Sequence, residues 1–159
     1  MPLAEQRLKD YLYAWLNKNG YNILRIPPIR GPATQKQARG RKMKSPSIPD
    51  IYAKRKGQQF YYYIEAKGGK PNVQTFYNVL GEIVTKRAAR TPARYAIALP
   101  ETFSKTILKN LPYETWKNLG KSNLSIYILL VDKSGNVQEF APTKANYKKI
   151  SRLADANTG

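Results

Sequence analysis

The run PDIYAKRKGQQFYYYIEAK at 49–67 constrains this chain most. Residues 50–54 read as a short strand, 54–57 as a turn and 59–67 as a longer strand. Along the second strand, alternation sends Phe60, Tyr62, Ile64 and Ala66 to one face. Tyr61, Tyr63, Glu65 and Lys67 take the other. Asp50 opens the first strand, and Glu65-Ala66-Lys67 closes the second. Adjacent antiparallel strands lie about 5 Å apart, so such a hairpin brings two carboxylates and an amine to one point. Oxygens at that spacing suit a hard divalent cation, and phosphodiester hydrolysis uses such a cation.

Composition narrows the chemistry. The chain has no histidine and no cysteine. Disulfides, thiolate nucleophiles, histidine-based triads and most zinc sites are therefore excluded. Hydrolysis would have to run on carboxylates, lysine, tyrosine and water on a metal. Against 10 acids stand 28 Lys and Arg, a formal net charge of +18. An excess of that size repels itself unless a polyanion is near, and nucleic acid is the natural one. An anionic membrane is the rival, but no apolar stretch is long enough to span a bilayer and no signal-peptide pattern is present. The absence of cysteine agrees with a cytoplasmic location.

A chain of 159 residues fits one domain. Residues 3–18 read as an amphipathic helix with Leu8, Leu12, Trp15 and Leu16 as its stripe, ended by Gly20. Residues 21–26 read as a strand. The following loop, 27–48, is rich in proline and has no apolar period. It carries Arg30, Lys36, Arg39, Arg41, Lys42 and Lys44, with no acid between them. Two readings stand for it: a solvated insert, or a phosphate-binding arm that orders on nucleic acid. GGKPN breaks the strand that ends at Lys67. A helix over 73–90 follows, with Val73, Phe76, Tyr77, Leu80, Ile83 and Val84 as its buried stripe and Lys86, Arg87 and Arg90 in its last turns. Residues 94–99 read as a central strand covered on both faces. Residues 101–119 hold one broken helix or two, split near Pro112. Residues 125–131 are a buried strand, and 137–140 pair back through the turn DKSGN. One domain over 1–141 and a basic C-terminal extension or short helix over 142–159 are expected. The order αβββαβαββ makes an α/β fold, a mixed β-sheet flanked by helices.

Pro49-Asp50 followed by Glu65-Ala66-Lys67, with a helix before and a helix after, resembles the PD-(D/E)xK nuclease superfamily. That superfamily includes many restriction endonucleases, archaeal Holliday-junction resolvases, and repair and mobile-element nucleases. The resemblance covers residues 3–131 in element order. The stretch LGEIVTKRAARTPARYAIALPETF also resembles cyanobacterial fdxN element excision-controlling proteins. A restriction-endonuclease-like fold is implied. Asp50 is then the central metal ligand, Glu65 the second carboxylate, and the Ala66 carbonyl completes the set. Lys67 is implied beside the attacking water and the scissile phosphate, where it offsets developing charge. Mg²⁺ is the implied cation, with Mn²⁺ as a substitute. The superfamily often takes a further ligand from the first helix, and Glu5 lies on the same side of that helix as Leu8, Leu12 and Leu16. It also often carries a polar residue on the helix after E-x-K, and Gln74 is in that place.

Each residue has a plainer reading. Asp after Pro is a common turn residue. Glu and Lys two apart on a strand are a common exposed pair. Glu5 suits a helix dipole without any metal. Glu82 reads as a solvated acid, and Tyr61 and Tyr63 as packing residues. Acids are scarce in this chain, which makes their joint appearance at these positions less of a coincidence. The combined expectation is a Mg²⁺-dependent endodeoxyribonuclease acting through Asp50, Glu65 and Lys67. Arg30, Lys36, Arg39, Arg41, Lys42, Lys44, Lys70, Lys86, Arg87 and Arg90 would hold the DNA backbone. Cutting two strands needs two sites, so a homodimer is expected. The alternatives are a catalytically weak binding protein on the same fold and a basic RNA-binding protein.

Overall fold

The computed structural model describes residues 1–24, 50–86, 93–119 and 125–158, with the main chain alone at 86. Among these residues, six strands lie side by side in chain order: β1 Tyr21–Leu24, β2 Ile51–Arg55, β3 Tyr61–Ala66, β4 Ala93–Pro100, β5 Ile126–Val131 and β6 Val137–Phe140. β1, β2 and β3 form an antiparallel meander. β3, β4 and β5 run parallel, and β6 returns antiparallel. Each parallel step needs a crossover. Helix α1, Glu5–Lys18, precedes the sheet, and helix α2, Val73–Lys86, supplies the first crossover. A 3₁₀ turn at Glu101–Phe103, α3 Ser104–Asn110 and α4 Tyr113–Leu119 supply the second. This is the mixed α/β sheet flanked by helices that the strand and helix periods predict.

Strand alternation divides the core into two layers. Ile51, Ala53, Tyr62, Ile64, Ala66, Ala96, Ala98 and Leu129 face one side. There α1 lays Leu8, Leu12 and Leu16 against them, four residues apart and fully buried. Each is worth about 1.5–3 kcal/mol by area. Tyr52, Tyr63, Tyr95, Ile97, Leu99, Ile128 and Leu130 face the other side, with Phe76, Val79 and Ile83 of α2 and Trp116 of α4. The Trp116 indole N–H donates to the Ile126 carbonyl at 2.8 Å, so a buried donor is satisfied. The turn before β6 is held by Asp132, whose carboxylate accepts from the Ser134 and Asn136 main-chain N–H groups.

One sequence expectation is narrowed and one needs correction. The stretch 142–159, read as an extension or a short helix, is helical. It holds α5, Lys144–Ala156, capped by the Thr143 hydroxyl accepting from Asn146 N–H. Ile150 of α5 sits in the same core as α3 and α4. On α2, Phe76, Val79 and Ile83 are buried, but Val73, Tyr77 and Val84 are exposed. The helix carries two apolar stripes, and its period alone does not say which one the sheet covers. Residues 25 and 26 of the first strand, the loop 27–48 and the helix end at 87–90 lie outside the described residues.

Candidate active site

The β2–β3 register fixes where the acids stand. Ile51 pairs with Ile64, so the next residues outward, Asp50 and Glu65, are neighbours across the ladder. The Asp50 carboxyl group stands within hydrogen-bonding reach of the Glu65 side chain. Its Oδ2 also accepts the Ala66 main-chain N–H at 2.9 Å. In an extended strand a residue's N–H and C=O point to the same edge, so the Ala66 carbonyl faces the Asp50 side. Glu65 is 1% exposed, an acid inside the sheet-helix layer that holds Tyr63. A buried carboxyl group needs a partner that carries or shares charge.

Sequence reading missed the third member. Lys9 of α1 places its Nζ 3.0 Å from Glu5 Oε1 and 3.3 Å from Asp50 Oδ1. The Glu5–Lys9 spacing of one helical turn was legible as an ion pair. The reach to Asp50 was not, because it depends on where the helix docks. Burial pushes the Asp50 carboxyl up, but the Ala66 N–H, the Lys9 ammonium and the Glu65 hydrogen bond together hold it below the usual aspartate value. Burial pulls the Lys9 ammonium down, while Glu5 and Asp50 outweigh it and hold the ammonium above its usual value.

The docking of α1 rests on a glycine. Gly69 N–H donates to the Leu3 carbonyl at 2.8 Å, which fastens the start of α1 to the end of β3. A Cβ on Gly68 would lie 2.3 Å from Glu5 N and 2.6 Å from Glu5 Cα. Only a residue without a side chain lets the two backbones approach so closely. Glu5 is thereby held at the rim of the acid pair and touches it through Lys9 rather than directly. Among the described residues, no group of three or more His, Cys, Asp and Glu side chains converges to hold an ion.

Lys67 follows β3, is half-buried, and its main-chain N–H donates to the Ala98 carbonyl at 3.0 Å. No carboxylate of the described residues pairs with its ammonium. Gln74 is exposed on α2 and donates to Asn78 Oδ1 at 2.8 Å, so its amide is engaged on its own helix. Lys70 is exposed in the turn before α2, where Asn72 caps the helix by accepting Thr75 N–H. Glu82 is half-buried. Tyr63 stacks on Tyr95 with ring centroids 5.3 Å apart, and Tyr61 on Tyr52 at 5.0 Å, so both serve packing. The side chain of Lys86, and all of Arg30, Lys36, Arg39, Arg41, Lys42, Lys44, Arg87 and Arg90, lie outside the described residues.

The shift of the Asp50 carboxyl has a consequence for stability. Its contribution is present above the usual aspartate value of 3.8 and is lost as pH falls through its lower folded value. The melting temperature of the wild type is therefore expected to drop more steeply below about pH 4 than that of Asp50→Asn. Thermal melts from pH 2 to 6 check this, and parallel curves would show that Asp50 contributes nothing.

Solved structures share this architecture. An XisH family protein from Nostoc punctiforme matches with a TM-score of 0.52 at 18% identity, over 84% of this chain and 98% of that one. An fdxN element excision controlling factor protein from Anabaena variabilis matches with a TM-score of 0.52 at 18% identity, over 86% and 98%. At that identity the likeness is one of fold. No family model matches the sequence, and no curated protein does.

Proposed function

We propose that the chain is a metal-dependent endodeoxyribonuclease whose centre is Asp50, Glu65 and the Ala66 carbonyl. The observation that carries this reading is the meeting of the Asp50 and Glu65 side chains at the carboxyl end of β3, beside Lys67. The donor set fits a hard cation. It offers carboxylate and carbonyl oxygens, no soft ligand, and room in the shell for water, which is how Mg²⁺ is commonly held. Such a cation, when bound, supplies Lewis acidity at a phosphoryl group. The protein's own part is to bind and orient. Asp50 is held through Oδ2 by the Ala66 N–H, which fixes the direction of Oδ1, the oxygen that Lys9 contacts. Lys67, with no carboxylate of the described residues paired to it, would meet a non-bridging phosphate oxygen as charge develops there.

The net charge of +18 supports a nucleic acid as substrate. The excision-controlling name of the Anabaena protein agrees with DNA. A homodimer is the assembly that cutting two strands would need. A second reading, a binding protein on the same scaffold, draws on the absence of a third converging acid among the described residues.

The test is incubation of the purified protein with branched, linear duplex and single-stranded DNA, in Mg²⁺ and in excess chelator. Cleavage in Mg²⁺ alone is the expected result. Tight binding with no cleavage of any of the three would favour the binding protein and remove the hydrolase. Lys67→Ala is expected to slow cleavage by roughly tenfold to a hundredfold, the scale of a lost transition-state contact, with DNA affinity nearly unchanged. Equal losses of rate and affinity would contradict that role.

A further inference from the structure

We propose that Lys9 is a resident countercation on the acid pair, which a divalent ion must displace before it can bind. The inference rests on the metal-centre reading above and adds a residue that the E-x-K pattern does not contain. The Lys9 ammonium touches Asp50 Oδ1 at 3.3 Å and Glu5 Oε1 at 3.0 Å, with its side chain 20% exposed. Asp50 Oδ2 accepts the Ala66 N–H, and Glu65 hydrogen-bonds Asp50 as well. Oδ1, the oxygen without the main-chain donor, is the one the ammonium already holds. Two cations sharing that oxygen would stand within about 4 Å of each other and repel.

Lys9 cannot withdraw by carrying its helix away. The start of α1 is tied by Gly69 N–H to Leu3 and abuts Gly68, and Leu8 and Leu12 on either side of Lys9 are fully buried. Withdrawal must come from rotation of the side chain's own flexible four-carbon stem. The ion consequently competes against a tethered charge, and its affinity for the free protein is lowered by the worth of that contact. Glu5 belongs to the same device. It gives the ammonium a second carboxylate and keeps it at the rim.

The test is calorimetric titration of Mn²⁺ into the full-length wild type, Lys9→Met, Lys9→Gln, Asp50→Asn and Glu65→Gln, without nucleic acid, with thermal melts to confirm folding. Lys9→Met keeps the packed stem and removes the charge. Lys9→Gln guards against an effect peculiar to methionine. Both are expected to bind Mn²⁺ about tenfold tighter than the wild type, the equilibrium equivalent of a partly buried ion pair. Unchanged or weaker binding in both folded variants overturns the proposal. Asp50→Asn and Glu65→Gln separate the two layers of the reading. If they abolish binding while the Lys9 variants leave it as it was, the countercation role alone falls. If they bind Mn²⁺ as well as the wild type does, the metal centre falls and Lys9 with it.

Discussion

Asp50→Asn and Glu65→Gln are each expected to cut DNA nicking by at least about a hundredfold, while DNA affinity changes by less than about threefold. Both substitutions keep shape and remove charge. In Asp50→Asn the new amide oxygen would still accept the Ala66 N–H, so the turn into β2 has no reason to move. At position 65 the exchange replaces a group 1% exposed with one of the same volume, which leaves no cavity. What disappears is anionic oxygen at the point where the two side chains meet. On the proposed reading, phosphate contacts elsewhere on a chain of charge +18 would be untouched, and those would set affinity. Nicking of supercoiled plasmid and fluorescence anisotropy with a labelled duplex read the two quantities separately. Full nicking by either variant would remove its residue from the centre. A matching fall in affinity would mean that the acids shape the binding surface instead.

Gly68→Ala is expected to have the largest effect on stability of any single methyl added at this end of the sheet. The new Cβ would meet main-chain atoms of Ala4 and Glu5 at 2.3–2.7 Å. No side-chain rotation relieves that contact, so α1 or the end of β3 must shift. Overpacking of this kind costs about 1–3 kcal/mol. The shift would also draw Lys9 off Asp50, since Lys9 and its partner Glu5 sit in the first turns of α1. Denaturant unfolding gives the stability, and nicking gives the site. Ordinary stability in Gly68→Ala would show that the start of α1 is free to slide, and that the Glu5–Lys9–Asp50 contact is not held by the backbone.

Much of this arrangement was legible in the sequence, because it follows from period and register. Tyr62, Ile64 and Ala66 pack on the α1 side, while Tyr63 and Glu65 share the other, as alternation from Phe60 predicts. The hairpin then puts Asp50 opposite Glu65 once Ile51 pairs with Ile64. Helices were harder where more than one answer satisfies a 3.6-residue period. In α2, Phe76, Val79 and Ile83 make one stripe, and Val73, Tyr77 and Val84 make another beside it. The sheet covers the first, a choice made by packing that no helical count contains. At the C-terminus Tyr147, Ile150 and Ala154 recur at helical spacing and are buried or half-buried in α5, but the basic residues between them fit a solvated extension equally well. Lys9 was illegible for a different reason. Its second carboxylate is 41 residues away, and the contact exists only because Gly68 lets α1 begin against the end of β3.

The most direct measurement is an anomalous difference map from a crystal of the wild-type protein equilibrated with Mn²⁺. The expected map has one peak coordinated by both the Asp50 and Glu65 carboxylates, with the Lys9 ammonium withdrawn from Asp50. A crystal in which no neighbouring molecule covers the two carboxylates, with no peak between them at saturating Mn²⁺ and Lys9 still on Asp50, would contradict the account at its root.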